Sequence, residues 1–430
     1  MLKKALLVTV LTFFTILNSF AAENKKDNAE EINAYVLLNL FAEVMERAKA
    51  TYVEEISDKK LIESAINGML VSLDPHSSYL DKKDFKYMTE QTSGKFGGLG
   101  IEITMEQGLV KIISPIDDTP AFRAGLKAGD YITNIDGETI IGMTLNEAVD
   151  KMRGKPGTKV KLTIRRINEK PFDVTIKREE IKTKSVKVDV KDEDVLYVRI
   201  SSFSEDVDAD IKKAFDDETK KRKKPFKGLV LDVRNNPGGL LDQAVGVSGL
   251  FLNQGEVVST RARDEENTLK YSAKGPDITN GLPIVVLINN GSASASEIVA
   301  GALQDHKRAV IIGEKSFGKG SVQTVLPLGN YGAMRLTTAR YYTPSGKSIQ
   351  ATGIEPDIIV HPAKIEEFTD EYGFSEAEYT NALKNETVDK TKKDKKNAKD
   401  NSKESEWRKD YQLARAVDLV KALNVYTSSK

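Results

Sequence analysis

Residues 291–296, Gly-Ser-Ala-Ser-Ala-Ser, are the part of the chain whose residue types best suit chemistry. They follow an apolar, β-branched run at 284–288 that predicts a buried strand, and they precede residues 297–308, whose periodicity predicts a helix. Small side chains let the backbone turn sharply between the two elements. The first N–H groups of a helix have no partner within it and can stabilise a developing oxyanion. The pattern therefore predicts a nucleophilic serine in this turn.

A serine nucleophile needs a base, and the composition narrows the choice. The chain has no cysteine and only three histidines. His306 lies about 18 Å from Ser294 along the predicted helix at about 1.5 Å per residue, so we interpret it as a helix-end residue. A lysine whose pKa is lowered by burial is the remaining candidate. Lys315 and Lys319 both lie in the glycine-rich loop after the next predicted strand, 309–313, and the residues alone do not choose between them.

A second glycine turn follows another buried strand. The strand predicted at 228–233 ends in Arg-Asn-Asn-Pro-Gly-Gly, and a helix is predicted at 240–252. Strands that alternate with helices form parallel sheets, whose ligands bind at the carboxyl ends of the strands, so this turn should face the serine turn. We expect Asp232 and Arg234 to anchor the turn. A nucleotide loop is disfavoured because no Lys-Ser or Lys-Thr follows Gly239.

From Phe96 onward the sequence changes to short alternating runs separated by glycines, which indicates a small β-rich domain. Its one predicted helix, at 144–153, begins with a capping box formed by Thr144 and Glu147. Before it, residues 28–92 carry helical spacing, including a helix at 59–71 that we expect to begin at an Asp58 cap.

Two motif sets carry a family resemblance. Gly-Ser-Ala-Ser-Ala-Ser-Glu followed by Gly-Lys-Gly-Ser-Val-Gln resembles the carboxyl-terminal processing, or tail-specific, proteases, and the β-rich segment beginning Gly-Gly-Leu-Gly resembles a PDZ domain. The resemblance implies that Ser294 is the nucleophile, that Lys319, 25 residues later, is the base, and that Gln323 orients this lysine. It also implies an oxyanion hole made by the amide of Ala295 and that of Gly238 or Gly239.

The PDZ resemblance implies a peptide-binding loop. A glycine-rich loop before a strand can direct backbone N–H groups at a free C-terminal carboxylate, and the peptide then adds as a strand. The residues concerned are Gly97, Gly98, Leu99, Gly100 and Ile101. The alternative interpretation is that the glycines only permit a tight turn. Arg153 is a candidate sensor that couples bound peptide to the protease. Tyr341, Tyr342 and Ile349 are candidates for lining a substrate pocket, and the alternative is that they are ordinary core residues of their strands.

The N-terminus predicts export. Lys3 and Lys4 precede an apolar run at 5–17, and Ser19 and Ala21 supply small residues for cleavage after Ala21. The segment is either cleaved or kept as an anchor in the inner membrane, and in both cases the remainder is exported, to the periplasm. The 64 basic and 64 acidic residues balance, which gives no reason to expect nucleic acid as a partner. Residues 386–406 are rich in charge and predict a solvated linker before a terminal helix at 407–424.

These observations predict a multidomain α/β protein. We expect a signal peptide at 1–21, an N-terminal helical region at 22–92, a PDZ domain at 93–182, a crotonase-like Ser-Lys protease core at 183–365, and a C-terminal segment at 366–430. The predicted function is an exported serine endopeptidase that captures apolar C-terminal tails of proteins, without metal or cofactor. An activating adaptor and a homo-oligomer are compatible with the sequence. The alternatives are a PDZ scaffold protein with an inactive core and a crotonase-like acyl-CoA enzyme.

Overall fold

A computed structural model describes residues 33–116, 118–365 and 407–428, together with the single residues 376, 380 and 383. The predicted signal segment and the charged linker at 386–406 lie outside the described residues. The chain divides into two compact units, of which the first ends at Tyr79 and the second begins at Leu80. Within the described ranges, no helix has the length and apolar character that a membrane span requires.

The first unit is helical, as its spacing predicts. Helices α1 (Ala34–Thr51) and α2 (Asp58–Val71) precede a short strand, β1 (Ser78–Leu80), which ends at the boundary between the units. The expected cap of α2 was wrong by one residue: Ser57 is the N-cap, and its side chain accepts a hydrogen bond from the Lys60 amide. Asp58 instead supplies a negative charge in the first turn, where it complements the helix dipole.

Helix α3 (Lys82–Ser93) opens the second unit and leads into a β-rich domain. Strands β2 (Lys95–Gly98) and β9 (Glu179–Lys182) pair as a two-stranded ribbon. Between them in sequence lies an antiparallel sheet in the order β3-β4-β5-β7-β8. Its strands are β3 (Ile101–Glu106), β4 (Leu109–Pro115), β5 (Tyr131–Ile135), β6 (Glu138–Thr139, paired with β5), β7 (Lys159–Arg165) and β8 (Phe172–Lys177). The domain also holds helices α4 (Pro120–Arg123) and α5 (Leu145–Met152), and α5 begins with the predicted Thr144–Glu147 capping box.

The remaining core is built on a six-stranded sheet in the order β10-β11-β12-β15-β16-β19. Its strands are β10 (Val186–Lys191), β11 (Val195–Ile200), β12 (Gly228–Asp232), β15 (Ile284–Ile288), β16 (Val310–Gly313) and β19 (Ile358–Ile359). All neighbours pair in parallel except β10 with β11. Helices α6 (Val207–Lys220), α7 (Leu241–Gly249) and α8 (Ala295–Asp305) pack on one face. The alternation of strands and helices predicted from the sequence is therefore present.

The C-terminal helix α9 (Tyr411–Ser428) covers the other face of this sheet. In β12, Leu229 and Leu231 belong to the apolar cluster beneath α6–α8, whereas Val230 belongs to the cluster that holds Val417 and Val420 of α9. Because successive side chains of a strand point to opposite faces, a strand covered on both faces must be apolar throughout. This explains the unbroken apolar runs at 228–232 and 284–288.

A second, antiparallel sheet flanks the core. It contains β13 (Gly255–Ala262), β14 (Leu269–Ala273), β17 (Ser321–Pro327) and β18 (Ala333–Tyr342), in the order β14-β13-β18-β17. The sequence predicted β17 and β18 but not β13 and β14. The side chains of Tyr341 and Ile349 are 6% and 1% exposed and pack in the main core. Their role in lining a substrate pocket stays a prediction.

Candidate active site and peptide groove

The serine turn is held in a strained backbone conformation. Ser294 is the N-cap of α8 and has φ 55° and ψ −112°, a combination that L-residues rarely adopt. The two flanking serines hold the turn against the neighbouring loop: Ser292 donates to the Val233 carbonyl at 2.8 Å, and Ser296 donates to the Asn236 carbonyl at 2.9 Å. Ser294 is therefore the serine of this run whose hydroxyl is not used to fix the turn to that loop.

The second glycine turn lies directly against the first. A Cβ placed on Gly238, which has φ +105°, would come within 2.8 Å of the Ser294 Cβ and 3.1 Å of the Ala295 nitrogen. Gly238 donates its own amide to Asn236 Oδ1 at 2.9 Å. Within the described part of the chain, the amides of Ala295 and Gly239 donate to no acceptor. The two turns thus meet as predicted, and they leave unpaired N–H groups next to Ser294.

Glu297 joins the serine turn to the lysine loop, a role that the sequence analysis missed. Its carboxylate is fully buried, and its Oε2 accepts the amides of Ser294 at 2.7 Å and Lys319 at 2.9 Å. Its Oε1 accepts the Ser316 hydroxyl and the Gly318 amide, both at 2.6 Å. Burial raises the pKa of Glu297, and these hydrogen bonds act in the opposite direction. The only signal in the sequence was a glutamate at the third position of a helix.

The two candidate lysines differ in their surroundings. Lys315 is exposed and forms an ion pair with Glu355 at 2.5 Å. Lys319 is half-buried, and its backbone shares Glu297 Oε2 with the backbone of Ser294. Gln323 lies on β17, where its side-chain amide donates to the hydroxyls of Ser321 at 2.9 Å and Thr337 at 3.3 Å.

The arginine before the glycine turn is an anchor, as expected. Arg234 bonds the buried Asp232 through Nε at 3.0 Å and Nη2 at 2.7 Å, and Asp232 also accepts the hydroxyl of Tyr197. His306 ends α8, and its Nε2 lies 2.7 Å from the Glu256 carbonyl oxygen, which agrees with its interpretation as a helix-end residue.

The PDZ segment has an open strand edge beside its glycine loop. Strand β3 ends the sheet order, so one of its edges pairs with no strand among the residues that the structure covers. The amides of Leu99 and Gly100, just before β3, likewise donate to no acceptor in those residues. Gly100 has φ +76°, and a Cβ there would overlap Thr119 at 2.3 Å, so the loop needs glycine at this position. Ile101 and Ile103 are half-buried at the domain core.

Gly97 packs against another turn of the same domain. A Cβ on Gly97 would lie 2.0 Å from the Gly154 carbonyl oxygen, and a Cβ on Gly98 would meet the Phe96 ring. The predicted sensor Arg153 pairs with Glu90 of α3 at 3.1 Å and stacks over Phe96, 4.4 Å from the ring centroid. The glycines of β2 therefore serve close packing, whereas Leu99 and Gly100 offer amides.

Comparison with known proteins agrees with these features. Residues 194–360 match Peptidase family S41, residues 97–190 match the PDZ domain, and residues 12–84 match the activating protease CtpB N-terminal domain. A carboxy-terminal-processing protease of Bartonella bacilliformis is 54% identical over 362 residues, covering 84% of this chain and 83% of the relative. The carboxy-terminal processing protease CtpA of Bacillus subtilis is 36% identical over 356 residues, covering 82% and 74%.

Among solved structures, a photosystem II D1 C-terminal processing protease is similar at 31% identity with a TM-score of 0.45, covering 75% of this chain and 92% of that one. The matches to the Bartonella and Bacillus relatives extend over most of both chains and include the protease and PDZ segments together. The chain therefore belongs to the carboxy-terminal-processing proteases of peptidase family S41 and is a serine-type protease with a PDZ domain.

Proposed function

We propose that this protein is an exported endopeptidase that captures apolar C-terminal tails of proteins and cleaves them with a Ser294–Lys319 dyad. The observation that carries the proposal is the junction at Glu297, where a single carboxylate oxygen accepts the backbone amides of both residues within 2.9 Å. Two loops that are distant in sequence are thereby held side by side at the carboxyl ends of β15 and β16.

In the proposed reaction, the Ser294 hydroxyl oxygen attacks the carbonyl carbon of the scissile peptide, and its proton passes to the neutral Lys319 amine. The oxyanion that forms lies against the amide of Ala295 and one amide of the Gly238–Gly239 pair. Lys319 then donates the proton to the leaving amine. Water attacks the acyl-enzyme by the same route and regenerates Ser294. Gln323 orients Lys319 in this scheme.

The PDZ segment supplies the preference for tails. The unpaired amides of Leu99 and Gly100 suit a terminal carboxylate, and the open edge of β3 suits addition of the tail as a strand. Residues Gly97, Gly98 and Ile101 flank this loop. The apolar side chains of Ile101 and Ile103 on β3 favour an apolar tail. Folded or unfolded proteins that end in such tails are the proposed substrates.

The dyad is tested by cleavage of an unfolded reporter protein with an apolar C-terminal tail. We expect Ser294→Ala and Lys319→Ala each to abolish cleavage, and Gln323→Ala to reduce it. Lys315→Ala is the matched control, because Lys315 lies in the same loop but is exposed and paired with Glu355. Cleavage that survives Ser294→Ala or Lys319→Ala contradicts the dyad, as does loss of cleavage in Lys315→Ala alone. A catalytically silent wild-type protein that still binds the tail would instead support the scaffold alternative.

Export rests on residues 1–21 and has its own test. We expect fractionation of expressing cells to place the protein in the periplasm or on the inner membrane. N-terminal sequencing should find a mature chain that begins after Ala21, or an intact N-terminus if the segment is kept as an anchor. Recovery in the cytoplasm would contradict export without affecting the dyad.

A further inference from the structure

We propose that Asp410 and Gln412, at the start of the C-terminal helix, are positioning residues for catalysis. They hold Arg234, and through it the loop 235–239 that carries an oxyanion amide. This inference rests on the proposed function, because the loop matters to the reaction only if its amide faces the oxyanion. It gives the last segment of the chain a role in the active site.

Every N–H of the Arg234 guanidinium is used. An arginine side chain has five N–H donors. Two bond Asp232, two bond Asp410 at 3.0 and 2.7 Å, and one bonds Gln412 Oε1 at 3.0 Å. Gln412 is 4% exposed and is itself held by donating to the Val360 carbonyl at 2.6 Å. The group is thus fixed from two directions, by β12 and by the C-terminal segment.

The backbone carries this constraint directly to the serine turn. Arg234 precedes Asn235, which exchanges hydrogen bonds with the side chain of Asn289 at 2.8 and 2.9 Å. The next residue, Asn236, accepts the Gly238 amide on its side chain and the Ala293 amide on its carbonyl at 3.0 Å. A shift of Arg234 would therefore move the atoms that set the distance between Gly238 and Ser294.

The position of these polar contacts indicates that Asp410 and Gln412 do more than hold helix α9 on the sheet. Helix α9 docks through Leu413, Ala416, Val417 and Val420, all of which are 5% exposed or less. That apolar face is sufficient to bury the helix against the sheet. The contacts to Arg234 come from the N-terminal end of the helix, where the glycine turn begins. The ion pair of Lys421 with Asp192, which lies between β10 and β11, is a separate contact of the same helix. Hydrogen bonds from Arg234 and its charge lower the pKa of Asp410 although burial acts to raise it, so Asp410 is ionised at neutral pH.

The experiment compares Asp410→Asn with a matched control in the full-length protein. Asp418→Asn removes the same charge from the same helix at an exposed position, where Asp418 lies 3.8 Å from Arg415. Trp407 is the only tryptophan of the chain and packs in the cluster under α9, so its fluorescence reports docking of the segment. Three quantities are measured: kcat and KM for cleavage of a tail-bearing peptide, and the inhibition constant of a peptide aldehyde. The aldehyde is used because it forms an adduct with the serine whose oxyanion occupies the oxyanion hole.

We expect Asp410→Asn to lower kcat about 10- to 100-fold, because misplacement of a catalytic group by about 1 Å has an effect of this size. KM should change less than about twofold, and aldehyde inhibition should weaken in proportion to kcat, since only the oxyanion contact is lost. Trp407 emission should remain that of the wild type, and Asp410→Glu should restore part of kcat. Asp418→Asn should behave as the wild type.

Three results would overturn the inference. The first is a wild-type kcat in Asp410→Asn. The second is a loss of kcat accompanied by a shift of Trp407 emission, which would mean that the helix has simply undocked. The third is an equal loss in Asp418→Asn. If the wild-type protein cleaves no tail-bearing peptide, the proposed function is contradicted, and the inference that rests on it is contradicted as well.

Discussion

The carboxylate of Glu297 provides the sharpest test of how the active site is built. We consider Glu297→Gln, which keeps the shape of the side chain but replaces one carboxylate oxygen with an NH₂ group. In the native site all four partners of Glu297 are donors, from Ser294, Ser316, Gly318 and Lys319. Whichever way the new amide is oriented, its NH₂ group therefore faces at least one buried backbone N–H.

The cost follows from these contacts. One buried donor without a partner costs about 1–3 kcal/mol, and each remaining hydrogen bond loses about 1 kcal/mol when its acceptor is no longer charged. Relief from burying a charge offsets part of this. We expect the free energy of unfolding to fall by about 2–4 kcal/mol, a large part of the about 5–15 kcal/mol typical of a domain. Since the lost bonds join Ser294 to Lys319, kcat should fall at least about 100-fold while KM changes little.

Urea denaturation measures the stability, and tail-peptide cleavage measures the rate. The matched control is Asp305→Asn on the same helix, where Asp305 accepts one backbone amide, from Ser345 at 2.9 Å, near the surface. We expect this control to lose no more than about 1 kcal/mol and to keep its kcat. The reasoning is refuted if Glu297→Gln stays within about 0.5 kcal/mol of the wild type and also retains its kcat.

Three further predictions concern the glycine turn, the peptide groove and the core. Gly238→Ala should lower kcat at least about tenfold, because its Cβ would lie 2.8 Å from that of Ser294. The control Gly137→Ala, at a glycine with φ +86° and open space around it, should keep the wild-type kcat. A wild-type kcat for Gly238→Ala in steady-state assays would contradict the close approach. Ile103→Asp on β3 should weaken binding of an apolar tail peptide about tenfold or more, as measured by fluorescence anisotropy. The control Ile167→Asp, at a site 75% exposed, should bind the peptide like the wild type. Unchanged binding by Ile103→Asp would contradict binding of the tail along β3. Burial, with Tyr271 and Asp242 nearby, raises the pKa of Tyr341 to about 12, so the fold favours its neutral form and this contribution is lost as pH rises from about 10 through 12. Tyr341→Phe should therefore lose less stability than the wild type over that pH range in urea titrations, and parallel curves would refute the assignment.

Much of the fold could be predicted because its signals are local. The apolar runs of β12 and β15 identify strands covered on both faces, and the small residues at 291–296 identify a sharp turn into a helix. The capping box at Thr144 was predicted from two residues three positions apart. Strand β13 was missed because its sequence shows no clean alternation, and β14 was missed because its alternation extends over only five residues. The pairing of β13 with β14 and with β18 decides their conformation.

The sequence by itself determined the residue types at the site: a serine among small residues, two candidate lysines and two glycine turns, since each depends on neighbours along the chain. The tertiary structure decided which contacts join them. It placed Glu297 between the loops of Ser294 and Lys319, and it brought Asp410 from the far end of the chain to Arg234. It also buried Tyr341 in the core, one of the two placements that the sequence left open. These contacts link residues far apart in sequence, and their energy comes from burial and hydrogen-bond geometry that exist only in the folded chain.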